Sequence, residues 1–95
     1  MSAYVIVDIL VQDQKKYDEY KLLAPATVAA YGGKYLARGG KTEVLEGEWI
    51  PNRLVILEFK SLEQANSWFN SPEYAHPKEM RRLSTRTNMV VLEGF

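Results

Sequence analysis

Three charged residues sit inside otherwise apolar stretches of this 95-residue sequence: Asp8 in AYVIVDILV, Arg38 in KYLAR and Glu58 in RLVILEF. A guanidinium beside a carboxylate, as Arg38 and Glu58 offer, can hold or polarise an anionic or carbonyl substrate. The same pair can equally be a salt bridge that fixes one layer against another. Asp8 can act as a general base if partial burial raises its pKa, or simply pair with a cation at a sheet edge. His76 is the only histidine. Its chemical readings are a proton shuttle at a pocket mouth or a haem ligand; its plain reading is a solvated residue beside Pro77. Tyr4, Trp49 and Tyr74 are candidates for the wall of an aromatic pocket. Arg81, with Arg82 and Arg86, can meet a carboxylated ligand or a neighbouring acidic surface.

Other chemistries are excluded or poorly supported. The absence of cysteine removes disulfides, thiolate metal sites, iron–sulfur clusters and a cysteine nucleophile, and points to a reducing, cytoplasmic setting. No pair of histidines stands at metal-ligand spacing, so neither a metal site nor a resident cofactor is expected. Gly39-Gly40 lacks the spacing of a phosphate loop, and no serine sits in a nucleophile elbow. Lys plus Arg and Asp plus Glu each total 12, so the net charge is zero and no footprint for nucleic acid or an anionic membrane exists. No apolar run approaches the ~20 residues that span a bilayer. The 46% hydrophobic and 25% charged content is that of one folded domain over residues 1–95.

The elements that must position these side chains follow from periodicity. Ala3 to Val11 is nearly continuous in apolar, β-branched residues and reads as a strand. Asp13 is placed as an N-cap, and Tyr17, Tyr20, Leu23, Ala24, Val28 and Tyr31 recur at helical spacing from Lys15 to Tyr31. Pro25 predicts a kink or break there, and Gly32-Gly33 a helix end. Lys34 to Arg38 is a second strand, followed by a turn or bulge at Gly39-Gly40, an extended arm over Thr42 to Leu45 and a loop over Glu46 to Asn52. Arg53 to Phe59 is a central strand. Ser61 and Gln64 form a capping box for a helix from Leu62 to about Phe69, with Trp68 and Phe69 assigned to the core. Ser71-Pro72-Glu73 restarts a helical turn, Pro77 opens a short last helix through Leu83, and Met89 to Leu92 closes the chain as a strand. The order is βαββαβ, which predicts an α+β, ferredoxin-like four-stranded antiparallel sheet with its helices on one face.

Side chains alternate across a strand, so the sheet has two faces. Val5, Val7, Ile9, Val55, Leu57, Phe59, Tyr35 and Ala37 fall on the side the helices cover. Tyr4, Ile6, Leu10, Leu36, Leu54 and Ile56 fall on the other, with Asp8, Arg38 and Glu58 among them. Six large apolar groups in water exceed what a soluble monomer usually exposes. Removing roughly 60 Å² each from water at ~25 cal/mol/Å² is worth on the order of 9 kcal/mol per subunit before association entropy. A second copy, face to face about a two-fold axis, is the simplest cover.

The segments GGKYLARGG at Gly32 to Gly40, VLEGEW at Val44 to Trp49, Arg53, LEF at Leu57 to Phe59, SPEY at Ser71 to Tyr74, and Arg81 together resemble domain-of-unknown-function family 1330. The resemblance spans essentially the whole chain, with one departure at Ala75-His76-Pro77. It implies the dimeric α+β barrel superfamily, whose members include cofactor-independent monooxygenases, muconolactone isomerases and haem-degrading enzymes. It implies no reaction of its own. The expectation is a homodimer that is either a cofactor-independent enzyme for a small organic acid or aromatic ketone, or a non-catalytic module that binds a small ligand or simply holds two subunits together.

Overall fold

A computed structural model describes all 95 residues. Its elements are β1 (Ala3–Val11), α1 (Gln14–Ala30), β2 (Lys34–Arg38), β3 (Arg53–Phe59), α2 (Leu62–Phe69), α3 (Pro72–Ser84) and β4 (Thr85–Glu93). The sheet runs β2-β3-β1-β4 with every pairing antiparallel. This is the ferredoxin-like order, with the two terminal-half strands at the edges and the most apolar runs, β1 and β3, in the middle.

The core is built by alternation. Along β1, Ala3, Val5, Val7 and Ile9 are all buried, while Tyr4, Ile6 and Asp8 between them are only half-buried. Val55, Leu57 and Phe59 of β3 are buried on the same side as their β1 partners. Against them pack Tyr17, Tyr20, Ala24 and Val28 of α1, Ala65 and Trp68 of α2, and Tyr74 of α3. Asp13 caps α1, its carboxylate accepting from the Lys16 amide at 3.1 Å. Ser61 and Ser71 cap α2 and α3 in the same way.

Pro25 does not break α1, which runs through it for all 17 residues. A proline withholds the amide that would bond the carbonyl four residues back, here that of Lys21. That carbonyl is served instead by Arg38, whose Nη2 donates to it at 3.0 Å. The orphan acceptor left by Pro25 is thus filled from β2.

The C-terminal third departs from expectation. α3 is one 13-residue helix opening at Pro72, with Pro77 buried in its interior, and β4 begins at Thr85 instead of Met89. A proline is permitted in a first helical turn, and both prolines invite that reading; only Pro72 holds the position. α3 lies within the helix layer. It packs on α1, joined by the Tyr20 and Tyr74 hydroxyls at 2.8 Å, so all three helices lie on one face and the other stays open. The Thr42 to Leu45 arm is no strand: residues 40–50 have no regular structure and every one is exposed.

The largest correction concerns β2. Lys34 pairs with Glu58 and Tyr35 with Leu57, but Ala37 pairs with Ile56 and Arg38 with Val55, so Leu36 is an extra residue in a β-bulge. An extra residue reverses the alternation beyond it. Ala37 therefore turns to the open face, and Arg38 joins Val55 on the helix side. The bulge lies at Leu36, ahead of the Gly39-Gly40 step.

Candidate functional site

With the bulge in place, Arg38 and Glu58 are on opposite sides of the sheet and form no pair. Glu58 stays on the open face and meets Lys34 at 3.4 Å. Desolvation pushes its pKa up, yet hydrogen bonding and the charge of Lys34 outweigh this and hold it below the ordinary value. Asp8 also lies on the open face, and both its oxygens are engaged. Oδ2 accepts from the Trp49 indole at 3.0 Å and Oδ1 from the Asn52 amide at 2.9 Å. It pairs with no cation and acts as the anchor for the loop between β2 and β3. Tyr4 lies opposite Glu58 on that face, far from Tyr74, which is fully buried among the helices. His76 is exposed on α3, and no cluster of metal-ligating side chains forms anywhere in the chain. The candidates are therefore split between the two sides of the sheet: Tyr4, Asp8, Trp49 and Glu58 belong to the open face, with Trp49 on Asp8, while Arg81 meets Tyr74 among the helices.

What converges instead is Arg38 with Arg53. Arg53 opens β3, pairs in register with Ile9 and so faces the helices. Its Nε donates to the Tyr17 hydroxyl at 3.0 Å, and its guanidinium lies 5.8 Å from the Tyr17 ring centroid. Arg38 stacks 4.8 Å from the Tyr35 ring. Gly39 makes this approach possible: its φ is +69°, and a side chain there would collide with the Arg53 guanidinium. The two arginines flank an open groove of about 660 Å³, bounded also by Asp18, Lys21 and Leu22. Asp18 is taken by Lys21 at 3.3 Å, and its pKa is held down chiefly by a hydrogen bond from Gln14. Neither guanidinium has a carboxylate within 4.0 Å. An anion entering this groove meets two cations with unspent donors.

Behind the arginines lies a hollow of about 20 Å³ between sheet and helices, walled by Tyr17, Tyr20, Tyr35, Leu57 and Trp68. That is room for about one water molecule. Burial raises the pKa of Tyr20 well above the ordinary phenol value, aided by Tyr74, and burial likewise raises that of Tyr35. These phenols are neutral hydrogen-bonding groups at any physiological pH, not bases. A polar chain crosses the helix layer here. The Tyr74 hydroxyl meets that of Tyr20 and accepts from Arg81 Nε at 3.3 Å, and Trp68 donates to Thr27 at 3.0 Å.

Arg53 and the three lining tyrosines of this site escaped the sequence reading. The signal for Tyr17 and Tyr20 was present, since they share the buried stripe of α1. Arg53 looked like a strand boundary, and nothing local marks Leu36 as the bulge that brings Arg38 to it.

Residues 2–95 match the model of a domain of unknown function, DUF1330. No curated protein matches the chain. Among solved structures, a protein of unknown function from Rhodopseudomonas palustris superposes with a TM-score of 0.80 at 14% identity, covering 99% of this chain and 82% of its own. A dimeric ferredoxin-like protein of unknown function from Jannaschia sp. CCS1 superposes at 0.73 with 13% identity, over 99% and 100%. SnoaB, a cofactor-independent oxygenase from Streptomyces nogalater, superposes at 0.68 with 9% identity, over 99% and 93%. At these identities the likeness is one of fold.

Proposed function

The chain belongs to the DUF1330 family, which carries no assigned reaction, and we propose that it works as a homodimer, each subunit taking a small organic acid or aromatic ketone at the Arg38–Arg53 groove. The observation that carries this is two guanidiniums without carboxylate partners at the mouth of a tyrosine-lined hollow. A substrate carboxylate or enolate spans Arg38 and Arg53, its apolar body lies in the groove, and the Tyr17 hydroxyl, already accepting from Arg53, turns its proton to the ligand. Cations so placed lower the pKa of an enolisable or phenolic substrate, the activation shared by isomerisation and by cofactor-independent reaction with oxygen. Likeness of fold to SnoaB favours this catalytic reading. Asp18, the carboxylate on the groove, is engaged by Lys21 and held below the ordinary carboxylate value, which favours a second reading, binding without turnover.

The dimer rests on the open face. Leu10, Val90 and Leu92 are 42%, 59% and 58% exposed there, around half-buried Tyr4, Ile6, Leu54 and Ile56. The loop tied to this face by Asp8 adds Leu45, Trp49 and Ile50, all more than half exposed. That the Jannaschia protein, of the same fold, is dimeric supports a dimer here. A cysteine-free chain of neutral charge, with no helix long and apolar enough to cross a membrane, suits the cytoplasm.

Calorimetric titration with benzoate and salicylate, and oxygen uptake with hydroxylated aryl ketones in the absence of added cofactor, test the site. Arg38→Gln and Arg53→Gln are each expected to weaken binding about tenfold, the scale of one charge-assisted hydrogen bond. Binding unaffected by both changes refutes the site, and binding without any turnover selects the second reading. Light scattering tests the assembly: Ile56→Lys is expected to convert a dimer to a monomer, and a wild-type chain that is monomeric at micromolar concentration refutes the interface.

A further inference from the structure

Arg81 lies at the other side of the helix layer and is only 5% exposed. It has no carboxylate within 4.0 Å, and its side chain's one protein hydrogen bond is from Nε to the Tyr74 hydroxyl at 3.3 Å. A buried guanidinium with no counter-charge is costly. No side-chain polar atom is sealed in the protein without a partner. The Arg81 terminal nitrogens, which bond nothing in the protein, must therefore reach the adjoining cleft of about 390 Å³, where Arg82 adds a second positive charge. The cleft is walled on its apolar side by Phe69 and Met89. The same two residues begin a groove of about 200 Å³ between α2 and β4, which continues along Ala65, Trp68, Val5 and Val91 and is almost wholly apolar. It exists because α2 stops short of covering edge strand β4, leaving Val91 38% exposed on the helix side.

A cationic end joined to a greasy channel has the polarity of an amphipathic anion. We infer that this groove is a second binding site, distinct from the Arg38–Arg53 mouth, for a carboxylate bearing an unbranched apolar tail. The carboxylate takes the free face of Arg81 in the two-pronged geometry that guanidinium allows, with Arg82 beside it. The tail runs past Phe69 and Met89 between α2 and β4. The head supplies the counter-charge that Arg81 lacks, and the tail removes Met89 and Val91 from water.

Octanoate, 1-octanol and butyrate, titrated calorimetrically into the full chain, separate head from tail. Octanoate is expected to bind at least tenfold more tightly than either comparison compound. Val91→Trp, a change at a partly exposed position that fills the groove, is expected to weaken octanoate at least tenfold, as is Arg81→Gln. Should Arg81→Gln fail to fold, Val91→Trp carries the test alone. Arg38→Gln and Arg53→Gln are expected to leave octanoate binding unchanged, and loss of it in these variants instead would place the carboxylate at the other mouth and overturn the assignment. Octanol binding as tightly as octanoate, or Val91→Trp binding normally, would also overturn it.

Discussion

The bond from Arg38 to the Lys21 carbonyl ties the function of an arginine to the presence of a proline thirteen residues before it, and a double-mutant cycle can read that tie directly. In the wild type, Pro25 offers no amide to Lys21, so Arg38 Nη2 is the carbonyl's donor at 3.0 Å. Replacing Arg38 by Met removes the donor while keeping much of the stem. A hydrogen bond from a charged group is worth about 1.5–3 kcal/mol when shielded; Arg38 is exposed, and solvent competition reduces this to about 1 kcal/mol. In a Pro25→Ala background the new amide reaches the Lys21 carbonyl along the helix, and the arginine becomes redundant there. Its replacement should then cost only what its contact with the Tyr35 ring supplies, about 0.5 kcal/mol at an exposed site. The cycle is therefore expected to show a coupling of about 0.5–1 kcal/mol, within the range for residues sharing one acceptor. Urea unfolding of the four proteins at one fixed concentration, followed by far-UV circular dichroism, measures it, with the concentration held because assembly contributes to apparent stability. Strict additivity, with Arg38→Met costing the same in both backgrounds, would show that the arginine does not serve the carbonyl and that Pro25 is tolerated for another reason.

Three further outcomes follow from the same geometry. Gly39→Ala forces a left-handed alanine against the Arg53 guanidinium; it should cost about 1–2 kcal/mol in urea unfolding and weaken benzoate binding as Arg53→Gln does, and a variant that binds normally would disconnect Gly39 from the site. Asp8→Ala releases both Trp49 and Asn52, so amide exchange across residues 44–52 should accelerate while benzoate affinity holds; unchanged exchange would remove Asp8 as the loop anchor, and lost affinity would restore it as a site residue. Because burial raises the Tyr20 pKa above 10.0, its contribution is complete below that pH and falls away above it, as the unfolded chain ionises and the folded one does not. Tyr20→Phe should therefore lose less stability than the wild type between pH 9 and 11 in urea titrations, and parallel profiles would contradict the assignment.

The legible part of this protein is the part set by periodicity. β1 and β3 announce themselves because their two-residue alternation rests on β-branched runs, and α1 because its tyrosines recur on one stripe. Caps at Asp13 and Ser61 are local chemistry and are found locally. Prolines mislead in both directions: Pro25 is repaired by a strand remote from the helix, and Pro77 lies inside the helix it was expected to begin. Arg38 and Glu58 part for one reason. Assigning Arg38 and Glu58 to a common face assumed unbroken alternation in KYLAR, and no residue type in that segment demands a bulge. Arg81 was visible as one of three clustered arginines, but its near-complete burial without a counter-ion belongs to the packing of α3 on α1.

The bulge at Leu36 sets the side of the sheet on which Arg38 emerges. Sidedness in a strand is a matter of parity, so the side on which Arg38 emerges depends on one residue of β2 taking no ladder position of its own. Excising Leu36 would remove the bulge and leave the sides as they are, with Ala37 opposite Ile56 and Arg38 opposite Val55 in an unbroken ladder. Seating Leu36 opposite Ile56 would instead carry Arg38 opposite Leu54 on the open face, among the groups proposed to meet the other subunit, so a one-residue change of register reassigns the arginine where loss of that residue does not.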